Sequence, residues 1–560
     1  MVSFDPDMKR PLTTRSVRDI GAFNLSQTLP EEFVNDASGG LFLLAAVSII
    51  LCLLLGGGTR GGFLSDALLQ LLTIPLLITA LSRLFDLRSR HIALSSPLFW
   101  ALIFCAAMIL VPLVQLIPLP PSIWTHLPGR KPEIEVFELL GRNAPWMPIS
   151  VSPDLTWQSA MSLIPSTAVF IGTVLLGHRK RRLLSLVVLG FGLVSVVVGL
   201  LQVAQGQSSP LRFFQFTNPS EAVGFFANRN HFATLLYSLT LFAAAWAVQA
   251  ASTAKSWWGQ KNYNAASIVP IVASFTVLVV LVAAQAMARS RAGLALTMIA
   301  LFGAIALAYV DRRGESRATA RKLIAVILTI AVIFSLQFAL YRIMERFDAD
   351  PLRDARIPIA RNTLAAATAF LPFGAGMGTF VSVYGIYEKP KDALVNAYVN
   401  HAHDDVLEVL LEAGLLGAAL MGLFVAGWGY QSLKLWRRVA RDGEEIDLGL
   451  ARAASIVVGL VMLHSLVDYP LRTGSMMAVL AFACALLIDP PVSDTPENRP
   501  RKKVTVAAEA RLVAVTTLSI SPPRSFQTPQ TIDWPDEWRD PESAETSHTA
   551  ASASDKPVVP

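Results

Sequence analysis

Continuous apolar runs of about 17–25 residues recur through most of the chain, and each can cross a hydrocarbon layer of about 30 Å. In lipid, only helices and closed barrels satisfy their own backbone hydrogen bonds. These runs are continuously apolar rather than alternating, which favours helices. The chain is 53% hydrophobic and 16% charged, against about 25% charged in ordinary soluble proteins. The pattern predicts an all-α polytopic membrane protein.

About twelve transmembrane helices fit this pattern within a transmembrane domain at 39–488. The polar segment 1–38 precedes it and has no apolar core typical of a cleavable signal peptide. The tail 489–560 is rich in Pro, Ser, Thr and charge, which is typical of disorder. The predicted spans lie near 41–57, 63–84, 97–117, 158–177, 184–204, 231–252, 267–288, 293–310, 323–341, 406–432, 451–467 and 473–488.

The connections between spans alternate in charge. One set is short and basic, and the positive-inside rule places it, with both termini, in the cytoplasm of a bacterial inner-membrane protein. The clustering of basic residues between spans explains the net charge of +6, so we predict no nucleic-acid partner. The other set, near 118–157, 205–230 and 342–405, then faces outward. The basic residues of the first, cytoplasmic set are Arg83, Arg88, Arg90, Arg179, Lys180, Arg181, Arg182, Arg312, Arg313, Arg317, Arg321, Lys322, Lys434, Arg437, Arg438 and Arg441.

Charged residues near span ends are candidates for function, and the first two clusters are basic. Asn228 or Asn230 could cap the sixth span, whereas Arg229 and His231 could face a substrate or anchor the helix. The turn 289–291 brings Arg289, Ser290 and Arg291 between two spans. Guanidinium groups bind phosphate oxygens in a bidentate way. The alternative is that both arginines reach lipid headgroups.

The third cluster, where the long loop re-enters the membrane, contains His401, His403 and Asp404, followed by further carboxylates. A neutral histidine is a natural general base near pH 7, and a carboxylate beside it can orient the ring. The spacing His-x-His with acids could instead ligate zinc, or the cluster could serve packing alone. No other His or Cys cluster completes a metal site, and we predict none.

In the fourth cluster, His464 and Asp468 are four residues apart, so they would share one face of a helix. They could support the site or form a mutually satisfied pair. The glycine-rich run 374–378 lacks the preceding strand that a dinucleotide-binding loop requires. A tight turn near the site is the better interpretation.

The stretch from about 224 to 475 resembles the O-antigen ligase/polymerase family. The residues that carry the resemblance are 228–231, the Ser-Arg-Ala-Gly turn 290–293, and a long loop that ends in His403-Asp404, with the Gly-Leu-Leu-Gly run 414–417 beyond it. The segment 464–470 is familiar from polysaccharide polymerases. The family usually places Asn, Ser or Gln after the histidine, whereas this chain has Asp404.

The resemblance implies a membrane-embedded, all-helical fold like the glycosyltransferase type C class. The donor would be a glycan on undecaprenyl pyrophosphate, and the acceptor a hydroxyl on lipid A-core, a glycan repeat or a protein. His403 would deprotonate that hydroxyl, while Arg291 and Arg356 would hold the leaving pyrophosphate, with Arg361 second to Arg356. No cofactor or metal is implied. Arg229, Arg289, Ser290, His401, Asp404, His464 and Asp468 are further candidates for contact with substrate.

Two other classes of function remain open at this stage. A transporter could use outward arginines to recruit an anionic or lipid-linked substrate, but it should show broken spans with polar groups at mid-bilayer. The spans of this chain are largely free of charge. A structural scaffold would leave the outward Arg and His residues unexplained. Ligase and polymerase share the motifs, so the sequence does not separate them.

Overall fold

The computed structural model describes residues 37–61, 64–91, 94–215, 217–258, 265–310, 329, 351–393, 399–441 and 443–491. These residues all belong to the first of two compact units, which ends at Asp494. Most of the predicted segment 1–38 and tail 489–560, and the predicted span 323–341 except Thr329, lie outside the described residues.

The described part of the chain folds into helices, with one isolated antiparallel bridge between Leu119 and Met147. A 3-10 turn, Pro470–Arg472, precedes the last helix. The helices are α1 (Ala37–Leu55), α2 (Leu64–Ser89), α3 (Ser96–Gln115), α4 (Pro121–Trp124), α5 (Lys131–Leu139), α6 (Pro153–Val174), α7 (His178–Gln205), α8 (Arg229–Trp258), α9 (Ala265–Ala288), α10 (Arg291–Val310), α11 (Pro351–Phe370), α12 (Phe380–Tyr387), α13 (Asp405–Arg437), α14 (Glu445–His464) and α15 (Gly474–Leu486).

Eight of the described helices are long and apolar enough to cross a membrane, namely α2, α3, α7, α8, α9, α10, α13 and α14. Two shorter apolar helices lie at Gly39–Leu55, within α1, and at α15. The predicted span 158–177 coincides with α6, which contains Pro165. Every other predicted span except 323–341 coincides with a described helix. The polytopic helical architecture is therefore confirmed, while the number twelve stays a prediction.

Contacts between helix termini distinguish two ends of the bundle. At one end the amide of Asp405, where α13 begins, donates to the carbonyl of Ser465, just beyond α14 (2.8 Å). At the other end Arg182, near the start of α7, binds Asp447, near the start of α14 (2.6 Å). We call the first the site end, because the predicted base His403 lies near Asp405 in sequence, and the second the basic end. The basic groups 179–182 and 434–438 lie at the basic end, as predicted.

At the centre of the bundle lies α8, whose apolar window is 89% buried. A helix buried all round must satisfy its polar side chains internally. The hydroxyls of Thr234, Ser238 and Thr240 do so by donating to backbone carbonyls one turn earlier, at 2.8, 2.7 and 2.9 Å. The first turn of α8 lies at the site end, where the side chain of Asn230 donates to Asp468.

The glycine-rich run docks on a break in α13. Gly414 has a left-handed φ of 60° inside α13, which breaks the regular helix. The amide of Ala375 donates to the carbonyl of Leu411 (2.8 Å), and the amide of Leu415 donates to the carbonyl of Pro372 (2.9 Å). A Cβ on Gly414 would lie 2.2 Å from that Pro372 oxygen, so the close approach requires glycine. The predicted tight turn beside the site is confirmed.

Candidate active site

His403 lies in the short segment before α13 and is held by a carboxylate. Its Nδ1 atom is 3.1 Å from Oδ1 of Asp468, and its backbone has a left-handed φ of 53°. The His403 side chain is 22% exposed, whereas that of Asp468 is 1% exposed. An ionised carboxylate only accepts hydrogen bonds, so Nδ1 carries the proton. Nε2, which makes no hydrogen bond among the described residues, therefore has a lone pair available to accept one.

Asp468 is fixed as an anion by the groups around it. It lies in the turn between α14 and the 3-10 turn, and the side-chain amide of Asn230 donates to its second oxygen. Burial alone would raise the pKa of Asp468, but the hydrogen bond from His403 and the imidazoles of His231 and His464 hold that pKa well below its usual range. The carboxylate that orients His403 is thus Asp468, and not one of the acids next to it in sequence.

The expectation that His464 and Asp468 share one helical face is wrong, because α14 ends at His464. Nδ1 of His464 instead faces the hydroxyls of Thr234 (2.8 Å) and Tyr237 (3.3 Å) on α8. The ring is fully buried. His464 therefore links α14 to α8 behind the site.

His401 is a double hydrogen-bond donor. Its Nε2 atom lies 2.9 Å from the carbonyl oxygen of Thr59, and its Nδ1 atom lies 2.8 Å from Oε1 of Glu408. Since both partners only accept, both nitrogens carry protons and the ring is an imidazolium. Burial lowers the pKa of His401, but the Glu408 carboxylate outweighs it and raises that pKa above its usual value. Both ring nitrogens of His401 are therefore engaged by protein acceptors.

The contact with Thr59 brings the loop after α1 into the site. The side-chain amide of Asn400 donates to the same carbonyl at 3.2 Å, and the amide of Ala227 donates to the carbonyl of Gly57 at 3.0 Å. The sequence analysis did not include this loop, because nothing in its glycine-rich composition indicates contact with residues some 340 positions away.

Arg472 forms ion pairs with a stripe of carboxylates on α13. Its guanidinium lies 3.5 Å from Asp405, 3.4 Å from Glu408 and 2.7 Å from Glu412. The three acids share one helical face, since they are spaced three and four apart. Buried charges of one sign need a partner, so this spacing was the clue from which a cation could have been predicted. The cluster ties α13 to the turn that carries Asp468.

The ring of Tyr469 lies between three histidine rings of the site, and the sequence analysis assigned it no role. Its ring lies 5.0 Å from that of His231, 4.3 Å from that of His401 and 5.0 Å from that of His403. Burial raises the pKa of its hydroxyl above the usual range. A single tyrosine next to Asp468 carries no spacing pattern, so the sequence alone could not assign it this position.

Two of the predicted substrate contacts, Asp404 and Ser290, cap helices. The side chain of Asp404 caps α13 by accepting from the amides of Val406 (2.9 Å) and Leu407 (3.1 Å). The hydroxyl of Ser290 caps α10 by accepting from the amide of Gly293 (3.0 Å). Asn228 likewise accepts from the amide of Asn230, at 2.9 Å, which confirms the predicted cap of α8.

The predicted arginines lie in the same region of the bundle. Arg229, the first residue of α8, is ion-paired with Glu221. Arg291 begins α10 and is half-buried, and Arg289 before it has a left-handed φ of 51°. This turn lies against α8, since a Cβ on Gly293 would come within 2.4 Å of the Ala233 side chain.

The two remaining arginines lie on α11. Arg356 interacts electrostatically with His464, whereas Arg361 is exposed. The structure thus joins His401, His403, His464 and Asp468 in one cluster. The turn 289–291 lies next to the first turn of α8, which supplies Asn230 to that cluster.

A scan against protein families matches residues 276–422 to the family described as O-antigen ligase. The match covers about a quarter of the chain and confirms the predicted resemblance to the O-antigen ligase-like family. His403, Arg291 and Arg356 lie inside the matched segment, whereas Asp468 and Asn230 lie outside it. No curated protein matches the chain.

Proposed function

We propose that this chain, a multi-pass membrane protein with an O-antigen ligase domain, transfers a glycan from undecaprenyl pyrophosphate to an acceptor hydroxyl. One observation carries the proposal: His403, inside the matched segment, is oriented by the buried carboxylate of Asp468 at 3.1 Å. This arrangement leaves Nε2 as a base at the partly open side of the cluster. A base in that position suits removal of a proton from a hydroxyl nucleophile.

In the proposed reaction, Nε2 of His403 takes the proton of the acceptor hydroxyl while the hydroxyl oxygen bonds to the anomeric carbon. The bond from that carbon to the pyrophosphate oxygen breaks, and the electron pair leaves with the pyrophosphate. Asp468 stabilises the imidazolium that forms. Arg291 and Arg356 are the proposed donors to the leaving phosphates, with Arg361 as the alternative to Arg356. Removal of one such donor commonly costs about 3–4 kcal/mol of transition-state stabilisation.

The proposed setting follows from the same assignment. The site end faces the periplasm, and the basic end and both termini face the cytoplasm of a bacterial inner membrane. The acceptor is lipid A-core, another glycan repeat or a protein, so the enzyme is an O-antigen ligase or a polysaccharide polymerase. We propose a glycosyltransferase type C-like domain at 39–488, with its core at 224–475, its long periplasmic loop at 342–405, and no requirement for metal.

The test of the function is genetic and begins with deletion of the gene and electrophoresis of the surface polysaccharide. Bare core with accumulated lipid-linked polymer is expected for a ligase. Single repeats on core without long chains are expected for a polymerase. Unchanged glycans in the deletion strain would contradict both.

Complementation then tests the base. His403→Ala should insert normally and fail to restore the polysaccharide, because no other described side chain occupies the position of Nε2. The matched control is Asp404→Asn, the neighbouring residue, whose amide oxygen still caps α13 and which should complement. Full complementation by His403→Ala would refute the assignment of the base.

A further inference from the structure

The segment between α3 and α6 forms a rigid platform at the site end, which we define as residues 119–150. Trp124 is fully buried, and its indole donates to the carbonyl of Pro145 (2.8 Å). Leu119 and Met147 exchange two backbone hydrogen bonds (2.9 and 3.1 Å). Arg130, also buried, donates to the carbonyl of Pro148 (2.7 Å). A segment fixed in this way holds its exposed side chains in a constant orientation.

One side of the platform is apolar and exposed. Leu139 is 87% exposed, Leu140 62% and Trp146 66%. On α5, at about 100° per residue, Val136 and Leu139 project within about 60° of each other. The charged and exposed Lys131 and Glu135 occupy the neighbouring arc, centred about 90° away, with Glu135 about 40° from Leu139. The helix therefore has an apolar exposed side, a charged exposed side, and a third side packed on the platform.

The platform directly follows α3, a candidate membrane span with exposed apolar side chains. The candidate span α3 exposes Leu110, Leu113 and Val114 along its length, and the exposed Ile117 and Ile123 follow. These exposed apolar side chains lead along the chain from α3, a candidate membrane span, into the platform. Tryptophan is also the residue typical of the boundary between hydrocarbon and headgroups, and Trp146 lies on the same segment.

We propose that the apolar side of the platform, formed by Val136, Leu139, Leu140 and Trp146, inserts into the lipid leaflet at the site end. Lys131 and Glu135 then face the headgroups and water, as in helices that lie in a membrane interface. The continuity with α3 favours lipid over a second protein. This inference depends on the membrane-spanning architecture and not on the proposed transfer reaction.

The anchored platform sets the depth of the site relative to the lipid. The amide of Val151 donates to the carbonyl of Ala375 in the glycine-rich run (2.9 Å), and the amide of Ser150 donates to the carbonyl of Gln115 (3.0 Å). The side chain of Gln115 in turn donates to the carbonyl of Glu412 in α13 (2.8 Å). These hydrogen bonds connect the platform to α13, the helix that follows His403.

Spin labels test the inference on the full chain in lipid nanodiscs. Single cysteines are introduced at Leu139 and at Lys131, in a background where Cys52, Cys105 and Cys484 are alanine. Collision with oxygen, which concentrates in lipid, is compared with collision with a water-soluble nickel chelate. The oxygen-to-nickel ratio at Leu139→Cys should be several-fold higher than at Lys131→Cys, and close to that at Leu110→Cys in α3.

Two results would overturn the inference. Equal ratios at positions 139 and 131 would place the apolar side in water, and exclusion of both probes from position 139 would place a protein there. If the cysteine-free background does not fold, brominated lipids test the native chain. Trp146→Phe should then remove part of the quenching of tryptophan fluorescence, and unchanged quenching would contradict the inference.

Discussion

The link between Asp468 and His403 makes a sharp prediction for Asp468→Asn. The substitution keeps the size of the side chain and removes its charge. Hydrogen bonds to charged groups are worth about 1.5–3 kcal/mol against about 1 kcal/mol for neutral ones. The imidazolium that forms on His403 would therefore lose about 1–2 kcal/mol, which corresponds to about a 5- to 30-fold lower kcat/KM.

The loss can be larger, because the carboxylate accepts from two donors. His403 and the amide of Asn230 both donate to Asp468, and an asparagine at this position has one oxygen for the two of them. If the amide group of the introduced asparagine donates to Nδ1, His403 takes the tautomer whose Nε2 is protonated and cannot act as a base. In Ser-His-Asp triads that exchange of tautomer costs about 10⁴ in kcat. The effect should fall on kcat rather than KM, since Asp468 is too buried to contact substrate.

The assay uses purified protein in liposomes with lipid-linked glycan extracted from the deletion strain, which accumulates it. Initial rates give kcat and KM, and thermal unfolding verifies that each variant is folded. Asp404→Asn is the matched control, because it makes the same chemical change in a carboxylate that caps α13 and should retain the wild-type rate. A wild-type kcat for Asp468→Asn, or an equal loss for Asp404→Asn, would refute the role of Asp468.

Three further predictions concern the groups that hold the site together. The pKa of His401 is raised in the folded state, so its contribution to stability is present below about pH 6.5, the unfolded value, and is lost as pH rises through the folded pKa. The difference in Tm between wild type and His401→Gln should therefore be larger at pH 6 than at pH 9. An equal difference at the two pH values would contradict the assignment of His401 as an imidazolium. Arg472→Met removes the guanidinium that pairs with three buried carboxylates, of which Glu408 keeps its bond to His401. It should destabilise the protein by about 3–5 kcal/mol, seen as a lower Tm that Arg472→Lys partly restores. Gly414→Ala adds a Cβ 2.2 Å from the oxygen of Pro372 at a φ of 60° and should lower both Tm and activity, whereas Gly422→Ala, where a Cβ would meet nothing within 4 Å, should leave both near wild type.

Hydropathy and local chemistry predicted much of this molecule from its sequence. Apolar runs locate helices because insertion in lipid depends on the composition of each run by itself. The caps at Asn228 and the turn at the glycine-rich run were predictable for the same reason, since they depend on neighbours in sequence. His403 was identified by resemblance, and the family match includes it.

The contacts that build the site were not predictable in this way, because they join distant parts of the chain. Asp468 is 65 residues from His403, and the end of α14 at His464 separates it from the helical face that spacing alone assigned. Thr59 meets His401 across 342 residues. The acidic stripe on α13 was recognisable from the sequence, since three carboxylates on one buried face require a cation such as Arg472.

The division of the site along the chain has a consequence for what must fold together. The proposed base and phosphate-binding arginines lie within the segment 276–422 that matches the O-antigen ligase family. The groups that position His403 and its neighbour His401 come from outside it: Asp468 binds His403, Asn230 donates to Asp468, and the carbonyl of Thr59 accepts from His401. A change in these flanking spans therefore acts on the chemistry through the orientation of one imidazole, without altering any residue in the matched segment. We therefore expect the functional unit to include the flanking helices beside Asp468, Asn230 and Thr59.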